Sequence, residues 1–200
     1  MRALLLCLLA GVEYGAAETD AVTCGSVVKL LNSKFNTRLH SHDVKYGSGS
    51  GQQSVTGMDD MEDHNSHWAL LGPLGQACRR GEPVECGQTV RLQHVSTGCL
   101  LHSHHFPSPL SRNQEVSCFG SHGQGDTGDH WEVVCADDHW IRGRDVRLKH
   151  KDTAGYLAVS GHKYGRPIHG QKEVCAFSSM TGGSEWRSAE GIFVMPSSEL

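Results

Sequence analysis

One short pattern occurs three times along the chain and sets the spacing of the rest. Each copy begins with Val, a basic residue and Leu, has a second Leu eleven residues after that Val, and has a Trp 40 or 41 residues after it. The Val positions are Val28, Val90 and Val146, the second leucines are Leu39, Leu101 and Leu157, and the tryptophans are Trp68, Trp131 and Trp186. A period of about fifty to sixty residues indicates that each copy is one unit of a larger assembly.

The residues between these positions predict an all-β domain. Short alternating apolar and polar runs are broken by Gly, Ser, Asn and Asp, and helical periodicity is nearly absent. Each copy supplies four strands, so we expect twelve, with 191–195 as a last apolar strand that closes the sheet. Three copies around a pseudo-threefold axis form a closed β-trefoil, which we favour over a β-sandwich or a propeller. The repeated Trp residues then lie in the shared core or cap, with each N–H reaching a loop carbonyl.

The N-terminal segment predicts a secretory signal peptide over residues 1–17. Arg2 precedes a short apolar run, and Gly15, Ala16 and Ala17 supply small residues for cleavage after Ala17. No later stretch approaches membrane-spanning length, so we expect a soluble lumenal or extracellular protein without a membrane span. The net charge of -4 argues against nucleic acid as the main partner.

Closely spaced histidines follow the second Leu in two of the three copies. They are His40 and His42 in the first copy, and His102, His104 and His105 in the second. Alternation along a strand places His40 with His42, and His102 with His104, on one face. Two histidines are a partial metal site, but no Cys or carboxylate at matching spacing completes it, and we predict no metal. Hydrogen-bonded strand histidines and a surface for a ligand or partner remain the two alternatives.

A second recurring element joins a cation to an aromatic residue. Lys45-Tyr46-Gly47 and Lys163-Tyr164-Gly165 lie at the same phase, where the second copy has Phe106 to Pro109. An exposed aromatic side chain beside a cation suits recognition of sugars or peptides, and packing within a turn is the alternative. Neither a G-x-S-x-G nor an H-E-x-x-H motif is present. We therefore predict neither catalysis nor a cofactor.

Cysteine usage indicates an oxidising compartment. Seven cysteines remain after removal of residues 1–17, so disulfides are expected and at least one thiol stays unpaired within the chain.

Several stretches closely resemble the stromal cell-derived factor 2 family. They are 23–32, 38–43, 45–57, 101–105, 113–117, 164–168 and 190–193. The loop from Phe106 to Pro109 looks most like the factor 2-like branch of that family. The resemblance spans nearly the whole mature chain. It implies three MIR repeats, at 21–75, 83–138 and 139–194, folded as one β-trefoil over 20–196.

The same resemblance implies a non-enzymatic protein of the endoplasmic reticulum lumen. Family members associate with a DnaJ-type co-chaperone, with the chaperone BiP and with misfolded clients, in quality control and the unfolded-protein response. The interaction surface is expected at His40, His42, Lys45, Tyr46, His102, His104, His105, Lys163 and Tyr164. The alternatives are a lectin-like module that binds glycans and assists protein O-mannosylation and, less favoured, O-mannosyl transfer itself.

Two further expectations follow from the family. Its cysteines match Cys24, Cys78, Cys86 and Cys135, and we favour Cys24–Cys86 and Cys78–Cys135 because Cys24 and Cys86 precede equivalent first strands. Cys99, Cys118 and Cys175 are additional, and the last two are expected as buried thiols. Members usually end in an H/K-D-E-L-like retrieval signal, whereas this sequence ends Ser-Ser-Glu-Leu and keeps only Glu-Leu of that signal. Retention through a chaperone partner, an incomplete C-terminus and slow secretion remain the alternatives to retrieval by that receptor.

Overall fold

The computed structural model describes residues 20–195 and contains twelve β-strands. The predicted signal peptide and the retrieval signal at the end of the sequence lie outside the described residues. The strands are β1 Val27–Asn32, β2 Thr37–Lys45, β3 Gln53–Met58, β4 Trp68–Leu71, β5 Thr89–His94, β6 Leu100–Pro107, β7 Gln114–Phe119, β8 Trp131–Val134, β9 Arg147–His150, β10 Tyr156–Lys163, β11 Lys172–Phe177 and β12 Trp186–Ile192. Within 20–195, no helix has the length and apolar character to cross a bilayer.

The strands form a ring and a cap. The ring runs β1–β4–β5–β8–β9 through antiparallel pairs, and β12 pairs with β1. A bridge between Val146 and Trp186 joins the β9 side to β12 and closes the ring. The hairpins β2–β3, β6–β7 and β10–β11 form the cap, because β3, β7 and β11 also pair with one another. All-β architecture with four strands in each copy is thereby confirmed.

The repeated apolar residues fill one core. The Val, Leu and Trp residues at the nine repeated positions are each 0 or 1% exposed. The indole Nε1 of Trp68 donates to the carbonyl of Leu39 at 2.8 Å, and Trp131 and Trp186 make the same bond to Leu101 and Leu157 at 2.9 and 2.8 Å. The acceptor is therefore a strand carbonyl, not the predicted loop carbonyl. Each bond satisfies a buried donor and ties the fourth strand of a copy to its second.

The connectors that precede the first strand of each copy pack together at one end, which we call the base. Bridges join Ala21 to Ile141, Thr23 to Pro83 and Glu85 to His139. The predicted disulfide pairing at the base is wrong. The bonds are Cys24–Cys78 and Cys86–Cys135, with Cα separations of 5.7 and 5.4 Å.

The correction has a topological reason. Equivalent residues such as Cys24 and Cys86 belong to different sectors of the ring. The chain that leaves the fourth strand of a copy, by contrast, returns beside the start of the first strand of that copy. Each bond thus ties the segment before the first strand of a copy to the chain just beyond the fourth strand of that copy.

The two remaining predictions on cysteines have different outcomes. Cys118 is not a thiol, because it is bonded to Cys99 across the β6–β7 hairpin with a Cα separation of 5.4 Å. Cys175 is the one free cysteine of residues 20–195 and is buried, as predicted. Burial raises the pKa of its thiol to about 12, so it is protonated and unreactive at neutral pH.

The predicted last strand over 191–195 is correct only at Gly191 and Ile192, which end β12 and pair with Val28 and Val27 of β1. β12 begins at Trp186 and ends at Ile192, and Ile192 is 72% exposed. The next two residues are held by side chains instead of a strand partner: the N–H of Val194 donates to Ser26 Oγ at 3.0 Å. Residues 193–195 therefore leave the sheet, and Val194 is held against the base.

Candidate functional site

A short 3-10 helix precedes each repeated Trp and positions the polar groups beside it. The helices are His64–Ser66, Thr127–Asp129 and Gly182–Ser184. The second and third are closed by capping boxes, in which Asp126 pairs with Asp129, and Thr181 with Ser184. The first copy has Asp63 and Ser66 at those places, and Ser66 Oγ donates to Asp63 Oδ2 at 2.5 Å.

In the first copy, two histidines and a carboxylate form a chain of hydrogen bonds. Nδ1 of His40 lies 2.7 Å from Asp63 Oδ2, and Nε2 of His40 lies 2.6 Å from Nδ1 of His42. His40 is buried and His42 is half-buried. The predicted shared face of His40 and His42 is confirmed. We call His40, His42 and Asp63 the first histidine cluster.

The protonation of this cluster follows from its surroundings. Burial, and then the neighbouring ring of His40, lowers the pKa of His42. Burial alone would raise the pKa of Asp63, but hydrogen bonds from Ser66 and His40 hold it below its usual value. An ionised Asp63 therefore orients His40 through Nδ1, and only His42 remains at the surface.

The second copy repeats the arrangement with different carboxylates. Nδ1 of His102 lies 3.0 Å from Oδ1 of the buried Asp129 and 3.6 Å from Asp126. His104 Nε2 lies 3.2 Å from Glu115 Oε1, as a close contact without hydrogen-bond geometry. Glu115 is fully buried, and it accepts the N–H of Ser50 at 3.3 Å. We call His102, His104, Glu115 and Asp129 the second histidine cluster.

The ligand atoms of His102, Asp126 and Asp129 all lie within 4.8 Å of one another, as in a metal site. Their oxygens already have partners, however. Asp129 Oδ2 accepts the N–H of Asp126 at 2.8 Å and Asp126 Oδ1 accepts that of Gly128 at 2.9 Å. The carboxylates cap the 3-10 helix and hold His102, and we assign no cation to them.

The third copy lacks the cluster. Ala158 and Ser160 replace the two histidines, and Thr181 replaces the first carboxylate. The backbone is equivalent, since Thr181 caps the third 3-10 helix as Asp126 caps the second. The histidines are thus an addition to two repeats, not a requirement of the fold.

The two tyrosines of the predicted surface are not exposed. Tyr46 and Tyr164 are 7% and 9% exposed, and their ring centroids lie 6.5 Å apart beside Ile168. The hydroxyl of Tyr46 lies 2.9 Å from the carbonyl oxygen of Val55 and 3.0 Å from that of Val116. Burial raises the pKa of both phenols. The interpretation as an exposed aromatic beside a cation is therefore wrong, and packing beneath the cap is correct.

The remaining predicted residues separate by exposure. Lys45, His105 and Lys163 are exposed, and His104 is half-buried. Phe106, which the prediction left out, is 51% exposed and stands edge-on to His104 with the ring centroids 4.9 Å apart. Of the residues that the sequence singled out, the structure leaves His42, Lys45, His104, His105 and Lys163 accessible to a partner.

Sequence reasoning also missed the carboxylates. Asp63, Asp126 and Asp129 hold the inner histidines, although their spacing from the histidines differs between the copies. A signal for them does exist. Each repeated Trp is preceded by two Ser, Thr or Asp residues that are three positions apart, and the second of them lies two residues before the Trp. This is the spacing of a capping box at the start of a helix.

Comparison with known proteins shows similarity along the whole chain. The model of the MIR domain matches residues 21–145. Stromal cell-derived factor 2 of Mus musculus is 54% identical over 202 residues, which cover 100% of this chain and 96% of that protein. Stromal cell-derived factor 2-like protein 1 of Homo sapiens is 56% identical over 187 residues, which cover 92% and 85%.

Solved structures show the same relation. A stromal cell-derived factor 2-like protein from Arabidopsis thaliana superposes with a TM-score of 0.86 at 45% identity, over 89% of this chain and 99% of that one. The Pmt1–Pmt2 protein O-mannosyltransferase of S. cerevisiae, bound to its sugar donor, gives 0.76 at 28% identity, over 93% and 29%. The designed threefold-symmetric protein ThreeFoil gives 0.55 at 17% identity, over 82% and 98%, a likeness of fold alone.

Proposed function

We propose, since the chain belongs to the stromal cell-derived factor 2 family of MIR-domain proteins, that it is a non-enzymatic subunit of a chaperone complex in the endoplasmic reticulum lumen. In this role it binds a DnaJ-type co-chaperone, BiP and misfolded clients, within quality control and the unfolded-protein response. The observation that carries the proposal is identity of 54% over the full chain to a named family member.

The architecture that we propose for this role is a β-trefoil. The repeat units 21–75, 83–138 and 139–194 each contribute two ring strands and one cap hairpin. Support comes from the three equivalent Trp-to-Leu hydrogen bonds and from the closed ring with its triangular cap. Such a block is rigid, because each repeat buries its apolar face only against the other two.

We place the partner surface on the exposed ends of β2 and β6. Phe106 offers an aromatic side chain that is half exposed, and His104 and His105 flank it on the same strand. An exposed aromatic with adjacent groups that can donate hydrogen bonds is typical of interface anchors. On β2, the accessible groups are His42 and Lys45. The inner residues His40, His102 and Tyr46 position this surface from below and do not touch the partner.

The test is equilibrium binding of the purified chain to a purified lumenal DnaJ-type co-chaperone. Phe106→Ala should weaken binding by about tenfold or more, as expected for an aromatic anchor. His162→Ala is the matched control, because His162 occupies the equivalent exposed place in the third copy. Full-strength binding by Phe106→Ala, or equal losses in both variants, would remove β6 from the interface. Absence of any binding by the wild-type chain would refute the proposed function.

A lectin-like role that assists O-mannosylation is the second candidate, and one cavity favours it. A cleft of about 640 Å³ beside Cys78 is lined by side chains that hydrogen-bond, including Gln76, Gln88, Thr89, Thr127, His130 and Asp152. Amides, hydroxyls and carboxylates around one cleft suit the hydroxyls of a sugar. A glycan array tests this role. Glycan binding that is competed by free mannose and weakened by Gln88→Ala would support it, whereas an array without signal would exclude it.

A further inference from the structure

The base of the third repeat is closed by an arginine where the other two repeats have a cystine. Arg142 lies four residues before Val146, just as Cys24 and Cys86 lie four residues before Val28 and Val90. Its guanidinium stacks on Phe193, with Cζ 4.4 Å from the ring centroid. Cys24 and Cys86 are bonded to the chain beyond the fourth strands of their own repeats, so the Arg142–Phe193 contact takes the place of a third disulfide.

A cavity of about 560 Å³ opens at this non-covalent closure. It is lined by Arg142, Gly143, Arg187, Ser188, Ala189 and Phe193. Ser188 lies two residues after Trp186, where the other copies have Leu70 and Val133. A serine leaves more room than Leu or Val at this layer and puts a hydroxyl there. Ser188 is 2% exposed, and its Oγ has no hydrogen-bond partner in the described part of the chain.

The guanidinium of Arg142 is held in place but keeps free donors. Its Nε donates to the carbonyl of Ala21 at 3.2 Å, and Phe193 covers one face. Its Nη2 is buried without a hydrogen-bond partner among residues 20–195. An arginine fixed in this way presents a planar group whose remaining N–H bonds match a carboxylate at little entropic cost.

The cavity carries positive charge that the described residues do not neutralise. Arg187 is exposed at its rim. Within residues 20–195 no carboxylate forms an ion pair with Arg142 or Arg187, whereas Arg144 has Asp137 at 2.7 Å and Arg147 has Glu185 at 2.5 Å. Exposed apolar side chains lie next along the chain, since Ile192 and Met195 are 72% and 61% exposed. The site is therefore complementary to an acidic group that has an apolar neighbour.

The geometry points to a binding site for an acidic peptide segment of a partner protein, in which a Glu or Asp carboxylate enters between Arg142 and Arg187 and an adjacent apolar residue packs on Phe193 and Ile192. This inference rests on the proposed binding role and supplies the chemistry of one contact. It uses a surface separate from the exposed ends of β2 and β6.

The probe is a fluorescent peptide of alternating Glu and Leu, with its Gln-for-Glu counterpart as the comparison, titrated onto the purified chain at low and high salt. The Glu peptide should bind about tenfold more tightly than the Gln peptide, and salt should remove most of the difference. Arg187→Gln should lower the affinity for the Glu peptide about fivefold, as loss of one charge-assisted contact does. Arg144→Gln, an exposed arginine with its own carboxylate partner, should leave that affinity unchanged.

Arg142→Lys keeps the charge but loses the planar stack on Phe193, and it should also lower the affinity for the Glu peptide. The melting temperature of this variant confirms that the chain is folded. Equal affinities for the Glu and Gln peptides, or an equal loss in Arg144→Gln, would overturn the assignment. The co-chaperone measurement is independent of this one. If the wild-type chain prefers the Glu peptide over the Gln peptide but does not bind the co-chaperone, the proposed function is refuted. If it binds the co-chaperone but does not distinguish the two peptides, only the proposed peptide site is refuted.

Discussion

The first two repeats and the third share one core and differ in what they add to it. All three bury the same Val, Leu and Trp residues and make the same indole hydrogen bond. Only the first two carry histidine clusters, and only they close at the base with a cystine. The repeated positions therefore specify the fold, and the positions where the copies disagree are the ones available for binding.

The largest effects should be equal in the three repeats, because they arise in the shared core. Replacing Trp68, Trp131 or Trp186 with Ala removes a fully buried side chain and leaves a strand carbonyl without its donor. We expect each change to lower the free energy of unfolding by about 3–5 kcal/mol. Urea denaturation followed by far-UV circular dichroism measures it. A nearly neutral change at one of the three sites would contradict a single core shared by equivalent copies.

Loss of a disulfide should come next and should depend on the length of chain that it closes. Cys86→Ser with Cys135→Ser opens a bond with a sequence separation of 49, and Cys99→Ser with Cys118→Ser one with a separation of 19. The entropy of the unfolded chain predicts losses of about 4 and about 3 kcal/mol. Measuring the free energy of unfolding of both double variants shows which disulfide contributes more. The reverse order would show that local packing outweighs loop closure at these bonds.

A smaller contrast is expected between the two tyrosines beneath the cap. The hydroxyl of Tyr46 lies between two strand carbonyls, while that of Tyr164 is buried with no partner in residues 20–195. Tyr46→Phe should therefore cost about 1–2 kcal/mol, and Tyr164→Phe should change the free energy of unfolding by less than about 0.5 kcal/mol. Equal costs from thermal denaturation would show that both hydroxyls are bonded in solution.

The smallest expected effect on the free energy of unfolding appears only when the pH is lowered. Burial lowers the pKa of His94 and of His150 below the ordinary value of 6.5. Each ring is held by a carbonyl of the preceding repeat: His94 Nε2 lies 2.9 Å from Asn65 O, and His150 Nε2 lies 2.8 Å from Gly128 O. The unfolded chain therefore takes up protons first, and the free energy of unfolding should fall as pH drops below about 6.5.

The equivalent residue of the first repeat supplies the matched control for this pH effect. Asn32 donates to Gly183 O at 2.8 Å and does not titrate. His94→Asn with His150→Asn should reduce the loss of stability between pH 7 and 5.5 by at most about 1.4 kcal/mol per pH unit for each histidine. The carboxylates with lowered pKa, such as Asp63, act only at lower pH. An unchanged slope in the double variant would assign the acid response to other groups.

The sequence alone predicted the features that depend on local alternation or on the spacing of the repeats. Alternation predicted the strands and the shared face of His40 and His42, and the repeat spacing predicted the buried Val, Leu and Trp positions. The burial of Tyr46 could not be predicted in this way, because it depends on the pairing of β3 with β7, two cap strands from different repeats. The prediction of the cystine pairing failed for a related reason. Equivalent positions in two repeats need not be close, and Cys24 lies beside Cys78, which follows the fourth strand of the first repeat.

The most direct test of the asymmetry between repeats is amide hydrogen exchange on the chain alone and bound to the lumenal co-chaperone. We expect slower exchange on binding in the exposed ends of β2 and β6, residues 42–45 and 104–107, and no change in the equivalent segment 160–163 of the third repeat. Protection of 160–163 equal to that of the other two, or protection of none of the three, would contradict this expectation.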